Sequence, residues 1–354
     1  MELLVSPTDP SVLYVGGLTF TRVEDWNPTE FTLINGLINS ENYHVDTRDA
    51  AIIRGSVSGT GGKDDIIIAG NDGGVSKTID GIRHWTNING SGLNITQFYG
   101  IGSSNVVPYW IGGGTQDNAF YYLNLNNWEI SGNSDFGDAY IDNSITGLLY
   151  SSIWPTIGYG ILIVKSDDFG KNFSLCPTPT AGEFWAVTLP LRINPKKTST
   201  IYVAARNLYI SWDRGENWTQ RNVDIPWAIY NEYVRCHAMT IASADTNTLY
   251  LGYSGFTRNV PNFVLKSSDG GQNWLDISPT DTRYLGITDI EVSPADKDSV
   301  WVSFSDFVSI PGLKKVMVSY DGGQNWNDYS AGLPDMPVNC LLYKRVRFKN
   351  MKKF

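Results

Sequence analysis

The sequence is poor in the residues that usually bring metal chemistry or membrane attachment. It has 3 histidines and 3 cysteines in 354 residues, and Cys176, Cys236 and Cys340 follow no metal-ligand spacing. No apolar run approaches the ~18 residues of a membrane span. The first ten residues also lack the pattern of a secretory signal. We therefore expect no metal, no cofactor and no membrane span, and interpret the cysteines as small apolar residues.

Charge is also scarce, and it is unevenly distributed. Only 18% of residues are charged and the net charge is −9, yet residues 344–354 carry six basic side chains and no acidic one. The body without this tail therefore has a net charge of −9 − 6 = −15. Such an acidic body argues against nucleic acid or an anionic membrane surface as a partner.

What the chain does contain is glycine, tryptophan and a repeat. Among its 35 glycines and 12 tryptophans, the octapeptide pattern S-x-D-x-G-x-x-W recurs. Copies lie at Ser166–Phe173, Ser211–Trp218, Ser267–Trp274 and Ser319–Trp326, with a diverged copy at Thr78–Trp85.

Each copy has the composition of a β-hairpin turn. Ser and Asp can bond backbone amides, Gly supplies a positive φ, and the closing aromatic offers an apolar face to a neighbouring sheet. We therefore assign a structural role to these residues: Asp80, Ser166, Asp168, Gly170, Ser211, Asp213, Gly215, Trp218, Ser267, Asp269, Gly271, Trp274, Ser319, Asp321, Gly323 and Trp326.

The spacing of the copies predicts seven units. Their first residues, at 78, 166, 211, 267 and 319, are 88, 45, 56 and 52 residues apart, and the interval of 88 fits two units. A further unit fits the stretch before Phe31, and each unit divides into four short strands. The sequence therefore predicts one all-β domain over 1–343, a seven-bladed β-propeller of four-stranded antiparallel blades.

The repeat resembles the Asp-box of sialidases, sortilin-type receptors and xyloglucan-cleaving hydrolases, which are β-propellers. The segments Gly70–Val75, Asn94–Gly100 and Gly112–Asn118 are similar to a group of secreted Asp-box propeller proteins of Bacteroidetes. The resemblance implies that the boxes are structural and lie away from the functional face. It also implies an extracellular or cell-surface location, although this chain shows no signal peptide.

The C-terminus departs from the repeat. Val338–Tyr343 has the pattern of a first strand of a further blade, after which residues 344–354 lose strand periodicity. Two interpretations remain open: a basic tail that is disordered, or a chain that is a fragment of a longer protein.

Topology predicts where a site would form. The boxes join strands 3 and 4 of each unit, so the 2→3 loops and 4→1 links share the other face, where function is expected. That face collects carboxylates and aromatic residues suited to sugar binding. The candidate catalytic residues are Asp46, Asp72 and Asp117. The candidate ligand-binding residues are His44, Arg48, Asp49, Asp135, Trp154, Trp185, Trp227, Tyr230 and Arg258.

Two functions compete at this stage. The favoured one is a monomeric, non-catalytic module that binds glycan or protein on the loop face. The alternative is a glycoside hydrolase of the xyloglucanase type, which needs two carboxylates flanking the scissile bond. Asn71-Asp72-Gly73-Gly74 resembles the segment of those enzymes that holds a catalytic Asp, but here the Asp is one place nearer the glycines.

Overall fold

The computed structural model describes fourteen stretches of the chain. They are residues 2–24, 32–35, 43–55, 64–89, 96–124, 126–132, 134–154, 161–177, 188–223, 225, 234–255, 260–282, 285–305 and 313–343. The basic tail at 344–354, and with it the expectation of disorder, lies outside them.

Seven four-stranded antiparallel sheets follow one another along the chain, each with its strands in sequence order. The strands of the first two sheets are β1 (Glu2–Val5), β2 (Leu13–Gly16), β3 (Phe20–Glu24), β4 (Thr32–Asn35), β5 (Asp49–Ile53), β6 (Ile66–Asn71), β7 (Gly74–Thr78) and β8 (Thr86–Asn87). Those of the third and fourth are β9 (Phe98–Ser103), β10 (Ile111–Thr115), β11 (Phe120–Asn124), β12 (Asn127–Ser131), β13 (Asp135–Ile141), β14 (Leu149–Trp154), β15 (Leu162–Ser166) and β16 (Ser174–Leu175).

The last three sheets complete the architecture. Their strands are β17 (Leu191–Ile193), β18 (Ile201–Ala204), β19 (Leu208–Ser211), β20 (Thr219–Arg221), β21 (Val234–Ile241), β22 (Leu249–Gly255), β23 (Phe263–Ser267), β24 (Leu275–Asp276), β25 (Gly286–Val292), β26 (Val300–Ser305), β27 (Val316–Ser319) and β28 (Asn327–Asp328). A short 3-10 helix spans Thr280–Thr282. The predicted all-β fold of seven four-stranded units is confirmed, and it corresponds to a seven-bladed β-propeller.

The chain divides into two compact units. Unit 1 comprises Met1–Phe98 with Thr115–Asn118, and unit 2 comprises Tyr99–Gly114 with Ala119–Phe354. In unit 1, β1 lies against β5; in unit 2, the first strands of successive sheets, β13, β17, β21 and β25, lie each against the next. Buried side chains alternate with partly buried ones along strands such as β2, and apolar clusters fill the faces between neighbouring sheets.

The five repeat turns share one hydrogen-bond arrangement. In the copy at Ser267, the Ser267 hydroxyl donates to Asp269 (2.8 Å) and accepts from the Gly271 amide (2.8 Å), while Asp269 accepts from the Asn273 amide (3.0 Å). Gly271 has φ +85°. In the diverged copy Ile82 takes the glycine position at φ +74°, which is strained for a β-branched residue. Ile82 is nonetheless held there by burial in the core of unit 1.

The closing aromatic of each turn joins its sheet to the preceding one. Trp326 packs against the core between the sixth and seventh sheets, and its Nε1–H donates to the Ile277 carbonyl at 2.7 Å. Trp274, one sheet earlier, and Trp218, two sheets earlier, also pack against the core shared with the preceding sheet, but without a hydrogen bond from Nε1 to a described residue. The repeat therefore stabilises contacts between sheets in addition to its own turn.

The first strands of unit 2 carry a polar cluster. Arg192 on β17 donates to the Tyr140 hydroxyl (3.1 Å), which donates to Asp138 (2.6 Å). Asp289 and Glu291 lie on β25, and the charge of Arg192 acts on both carboxyls. Burial, reinforced by repulsion from Asp289, raises the pKa of Glu291 to about 7.

Val338–Tyr343, predicted as a strand, does not form one. It crosses β25 through side-chain contacts instead: the Thr288 hydroxyl donates to the Val338 carbonyl (2.5 Å), and the Leu341 amide donates to Asp289 (2.8 Å). Because the side chains of β25 take its backbone groups, the segment has no ladder partner there.

The turn geometry predicts the effect of removing the buried hydroxyl. Ser267→Ala should lower the free energy of unfolding by about 1–3 kcal/mol, because the buried Gly271 amide loses its acceptor. Chemical denaturation measures this loss. Ser268→Ala is the matched control, since Ser268 is the exposed neighbour in the same turn. Equal stability of the two variants would show that the Ser267 hydroxyl does not hold the turn.

The raised pKa of Glu291 predicts a pH-dependent stability. The folded protein holds this proton more tightly than the unfolded chain, in which the pKa has its ordinary value of 4.5. Stability should therefore fall as the pH rises from about 4.5 to about 7, and the full penalty should remain above pH 7. Glu291→Gln should therefore be more stable than the wild type at pH 8, by about 1–3 kcal/mol, and the gain should vanish towards pH 4.

Denaturation curves at several pH values measure the Glu291→Gln effect. Glu216→Gln, at a glutamate that is 55% exposed, is the control and should show no comparable gain. Equal free energies of unfolding for Glu291→Gln and the wild type at both pH 4 and pH 8 would contradict the raised pKa of Glu291.

Candidate functional site

In the second sheet, the repeat turn and the candidate site lie at opposite ends of one strand. β7 begins at Gly74, directly after the turn Asn71–Gly74, and ends at Thr78, where the repeat turn begins. This is the placement that the strand order predicts for a 2→3 loop and a 3→4 turn. The Asn71–Gly74 turn therefore takes no part in the repeat turn.

Two glycines and one asparagine shape the Asn71–Gly74 turn. Asn89 accepts from the Val75 amide (2.9 Å) and donates to the Gly73 carbonyl (2.7 Å). Gly74 has φ +118°, and a Cβ there would lie 2.1 Å from the Asn89 amide nitrogen. A Cβ on Gly73 would lie 2.5 Å from the Cβ of His44. The turn thus needs both glycines to let these side chains approach.

The link before β5 positions Arg48 beside the turn. The Asp46 and Thr47 amides donate to the Leu18 and Gly17 carbonyls at 3.0 and 2.8 Å, and the Arg48 amide donates to the Gly70 carbonyl at 2.8 Å. Asp46 has φ +63°, which turns the chain towards β5. Backbone bonds to two sheets therefore fix the residue from which the arginine side chain extends.

Arg48 and Asp72 form a bidentate ion pair. Arg48 Nε donates to Asp72 Oδ1 at 2.5 Å and Nη2 donates to Oδ2 at 2.7 Å. The Asp72 side chain is 17% exposed, whereas that of Arg48 is 70% exposed. The hydrogen bonds from Arg48 hold the pKa of Asp72 below its usual range, although burial opposes them. Asp72 is therefore ionised at neutral pH and has no proton to donate.

A pocket of about 660 Å³ opens beside this pair, within unit 1. Its lining is almost entirely polar and rich in side-chain amides. It comprises Arg48, Asn71, Asp72, Gly73, Gly74, Thr96, Gln97, Gln116, Asp117 and Asn118. Such a lining offers both donors and acceptors, which suits a ligand with many hydroxyl or amide groups.

Asn71 is the buried member of this lining. It is 8% exposed, and neither its amide nitrogen nor its amide oxygen has a partner of ordinary hydrogen-bond geometry among the described residues. The Tyr43 hydroxyl lies near enough for Asn71 to offset part of the burial that raises the pKa of Tyr43. An unsatisfied buried amide at a pocket wall is costly unless a ligand or water completes it.

His44 and Asp117 approach each other at the edge of this region. His44 Nε2 and Asp117 Oδ1 are 3.9 Å apart, longer than a hydrogen bond, and the His44 ring nitrogen Nδ1 lies 3.2 Å from the Val45 carbonyl. Asp117 has φ +63°, as part of the loop after β10. Two of the candidate carboxylates, Asp72 and Asp117, thus line one pocket, with Asp46 on the adjoining link.

The other candidates that the structure describes do not belong to the lining of this pocket. Asp49 is exposed at the start of β5, where it accepts from the Ala50 amide (2.9 Å). In unit 2, Asp135 on β13 is the register partner of Trp154 on β14, and Trp154 packs against the apolar core. Trp185, Trp227, Tyr230 and Arg258 fall outside the described residues. Among the described residues no aromatic side chain belongs to the lining, so the expected aromatic contribution from Trp185, Trp227 and Tyr230 stays a prediction.

Two lining residues were not named as site candidates from the sequence, although they lie in the segment Asn94–Gly100 that carries the family resemblance. Thr96 and Gln97 are exposed and directly precede β9, and neither belongs to a charged or aromatic cluster. The signal that could have found them is their position, since polar residues at strand ends lie on loop faces.

Within the described ranges, no three His, Cys, Asp or Glu side chains converge as metal ligands. No helix there is long and apolar enough to cross a membrane.

Comparisons with known proteins give likenesses of fold only. No protein-family model matches the chain, and no curated protein matches it. Among solved structures it is similar to the GH74 enzyme of Niastella koreensis, with 15% identity over 92% of this chain and 56% of that one, and a TM-score of 0.31. It is also similar to the GH74 xyloglucanase of Xanthomonas campestris, with 15% identity over 95% of this chain and 59% of that one, and a TM-score of 0.29. The chain thus spans less than two thirds of either enzyme.

A third likeness is to YCF48 bound to D1 peptide. The identity is 14% over 90% of this chain and 96% of that one, with a TM-score of 0.43. Glycoside hydrolases and a peptide-bound propeller therefore both stand among the similar structures, and the fold alone does not choose between enzyme and binding module.

The ion pair predicts a measurable shift at Asp72. Arg48→Ala should raise the pKa of Asp72, because the largest cause of its lowering is removed. A ¹³C NMR titration of the Asp72 carboxyl measures this, and the melting temperature should change little because the pair is exposed. Arg54→Ala, at an exposed arginine outside the lining, should leave the titration unchanged. If Arg48→Ala left the pKa of Asp72 unchanged, that result would contradict the bidentate pair.

Proposed function

We propose that this protein is a non-catalytic binding module that holds a neutral, hydroxyl- or amide-rich ligand in the Arg48–Asp72 pocket. The ligand class is glycan or protein, and the module acts as a monomer outside the cell or at its surface. The observation that carries the proposal is the bidentate Arg48–Asp72 pair.

The ion pair bears on the enzyme alternative directly. Glycoside hydrolysis needs one carboxylic acid whose pKa is raised so that it can protonate the leaving group. Asp72 has the opposite environment, because Arg48 holds its pKa low. A carboxylate fixed by an arginine is instead a rigid hydrogen-bond acceptor, which is useful for orienting hydroxyl or amide groups.

The remaining lining supports a neutral ligand. Arg48 already has its counter-charge in Asp72, and Asp117 adds a negative charge that an anionic ligand would meet. Asn71, Gln97, Gln116 and Asn118 offer amide groups of both polarities. These features favour sugar hydroxyls or a peptide backbone over phosphate, sulfate or a sialic acid.

The proposal predicts binding without turnover. A glycan array of neutral oligosaccharides, including xyloglucan fragments, should identify a ligand, and calorimetry should give its affinity. Gln116→Ala and Asp117→Asn should weaken that affinity about tenfold or more, since each leaves ligand groups unpaired. Gln220→Ala, at an exposed glutamine of β20 outside the pocket, should leave it unchanged.

A reducing-sugar assay separates the two functions. The wild type and Asp72→Asn should both release no product from the glycans that bind. Turnover by the wild type that Asp72→Asn abolishes would establish the glycoside hydrolase instead. If the array finds no glycan, the same pocket variants apply to a protein ligand captured from the extracellular medium. If no pocket substitution changed the affinity for the ligand, the binding site would lie elsewhere.

A further inference from the structure

The seventh sheet carries an apolar groove with acidic residues in its wall. The groove has a volume of about 770 Å³ and lies within unit 2. Trp301, Tyr329 and Leu333 supply apolar surface, and Glu291 and Asp328 supply carboxyl groups. No lysine or arginine belongs to the lining as described. The groove therefore favours an occupant that combines apolar and basic side chains.

Several apolar side chains that line the groove are exposed to solvent. Leu342 is 90% exposed and Tyr329 is 58% exposed, and both belong to the lining. Leu333 also belongs to it and is largely exposed. Apolar side chains gathered in one concave patch commonly mark a docking surface, whereas single exposed ones do not.

The chain itself runs into this groove. The segment Val338–Tyr343 lies beside β25, where the Leu341 amide donates a hydrogen bond to Asp289. It forms part of the lining of the groove. The Tyr343 ring packs against the Trp301 ring, with the centroids 5.5 Å apart. The described part of the chain therefore ends at the lining of the groove.

We propose that residues 344–354 dock in this groove as an intramolecular ligand. They carry six basic side chains and no acid, with Val346, Phe348, Met351 and Phe354 among them. Their apolar side chains match the Trp301–Tyr329 surface, and their basic ones match the carboxylate of Asp328. The sequence alone showed no acidic partner for the basic side chains of this tail, and the groove supplies acidic groups.

Length and charge favour this occupant over a second copy of the chain. An extended peptide advances about 3.3 Å per residue, so 11 residues reach well beyond a groove that begins at their first residue. Tethering also gives the tail a high effective concentration at the groove. A second copy would bring a chain of net charge −9 towards an acidic surface, which is repulsive.

Cys340 is a natural reporter of occupancy. It is exposed and lines the groove, whereas Cys176 and Cys236 are buried. A neutral maleimide avoids attraction by the basic tail, so its rate of reaction with the folded protein measures access to Cys340. The experiment would compare this rate in three proteins: the full chain, a variant that ends at Tyr343, and a full-length variant with the six basic tail residues changed to Gln.

Docking predicts protection of Cys340 in the full chain. Removing the tail should speed modification several-fold, and a synthetic peptide of residues 344–354 should restore protection in the shortened chain. The Gln variant, whose folded body is unaltered, should react faster than the wild type. Asp328→Asn should weaken protection, whereas Asp276→Asn should not. The control is matched because each Asp ends its sheet's last strand and bonds the Ser two residues later.

Three results would overturn the proposal. Equal rates for the full chain, the shortened chain and the Gln variant would show that the tail leaves the groove open. A peptide that fails to protect the shortened chain would show the same. Protection that rises with protein concentration and accompanies a dimer in sedimentation would place a second copy in the groove. None of these outcomes bears on the Arg48–Asp72 pocket, so the two proposals fail separately.

Discussion

The hydroxyl at the start of each repeat turn, from serine in four copies and from Thr78 in the fifth, is the contact on which this fold most depends. At Ser267 it is buried and bonded both to Asp269 and to the Gly271 amide, so one atom closes the hairpin. The closing aromatic then packs its sheet on the preceding one, as Trp326 does through the Ile277 carbonyl. A local turn is thereby coupled to the packing between sheets, and each repeat contributes both.

The same division of labour explains where a site can form. Because the repeat occupies the end of β7 at Thr78, the other end at Gly74 is free to carry loops with no structural duty. The Arg48–Asp72 pair lies there, held by backbone bonds of the link before β5. A rigid scaffold with variable loops is a common basis of recognition, and it serves enzymes and binding modules equally.

The sequence predicted the fold far better than the site. The Ser–Asp–Gly–Trp spacing depends on local geometry, so five copies and the intervals between them sufficed to predict seven four-stranded sheets. The pocket depends on distant segments: Gln97 and Gln116 meet Asp72 only after the chain has folded. The bidentate bond of Arg48 was likewise invisible in the sequence, and it changes Asp72 from a candidate acid to a fixed acceptor. The strand predicted at Val338–Tyr343 was wrong because side chains of β25 take its backbone groups.

The second position of the repeat has a consequence for how such a chain can vary. It is exposed in every copy, and its occupants share no chemistry: Ile79, Asp167, Trp212, Ser268 and Tyr320. The turn's hydrogen bonds come from the residues on either side, so this position can change without loss of the hairpin. Each turn is in effect a rigid mount with one interchangeable side chain, and new surface chemistry can be introduced there while the fold stays intact.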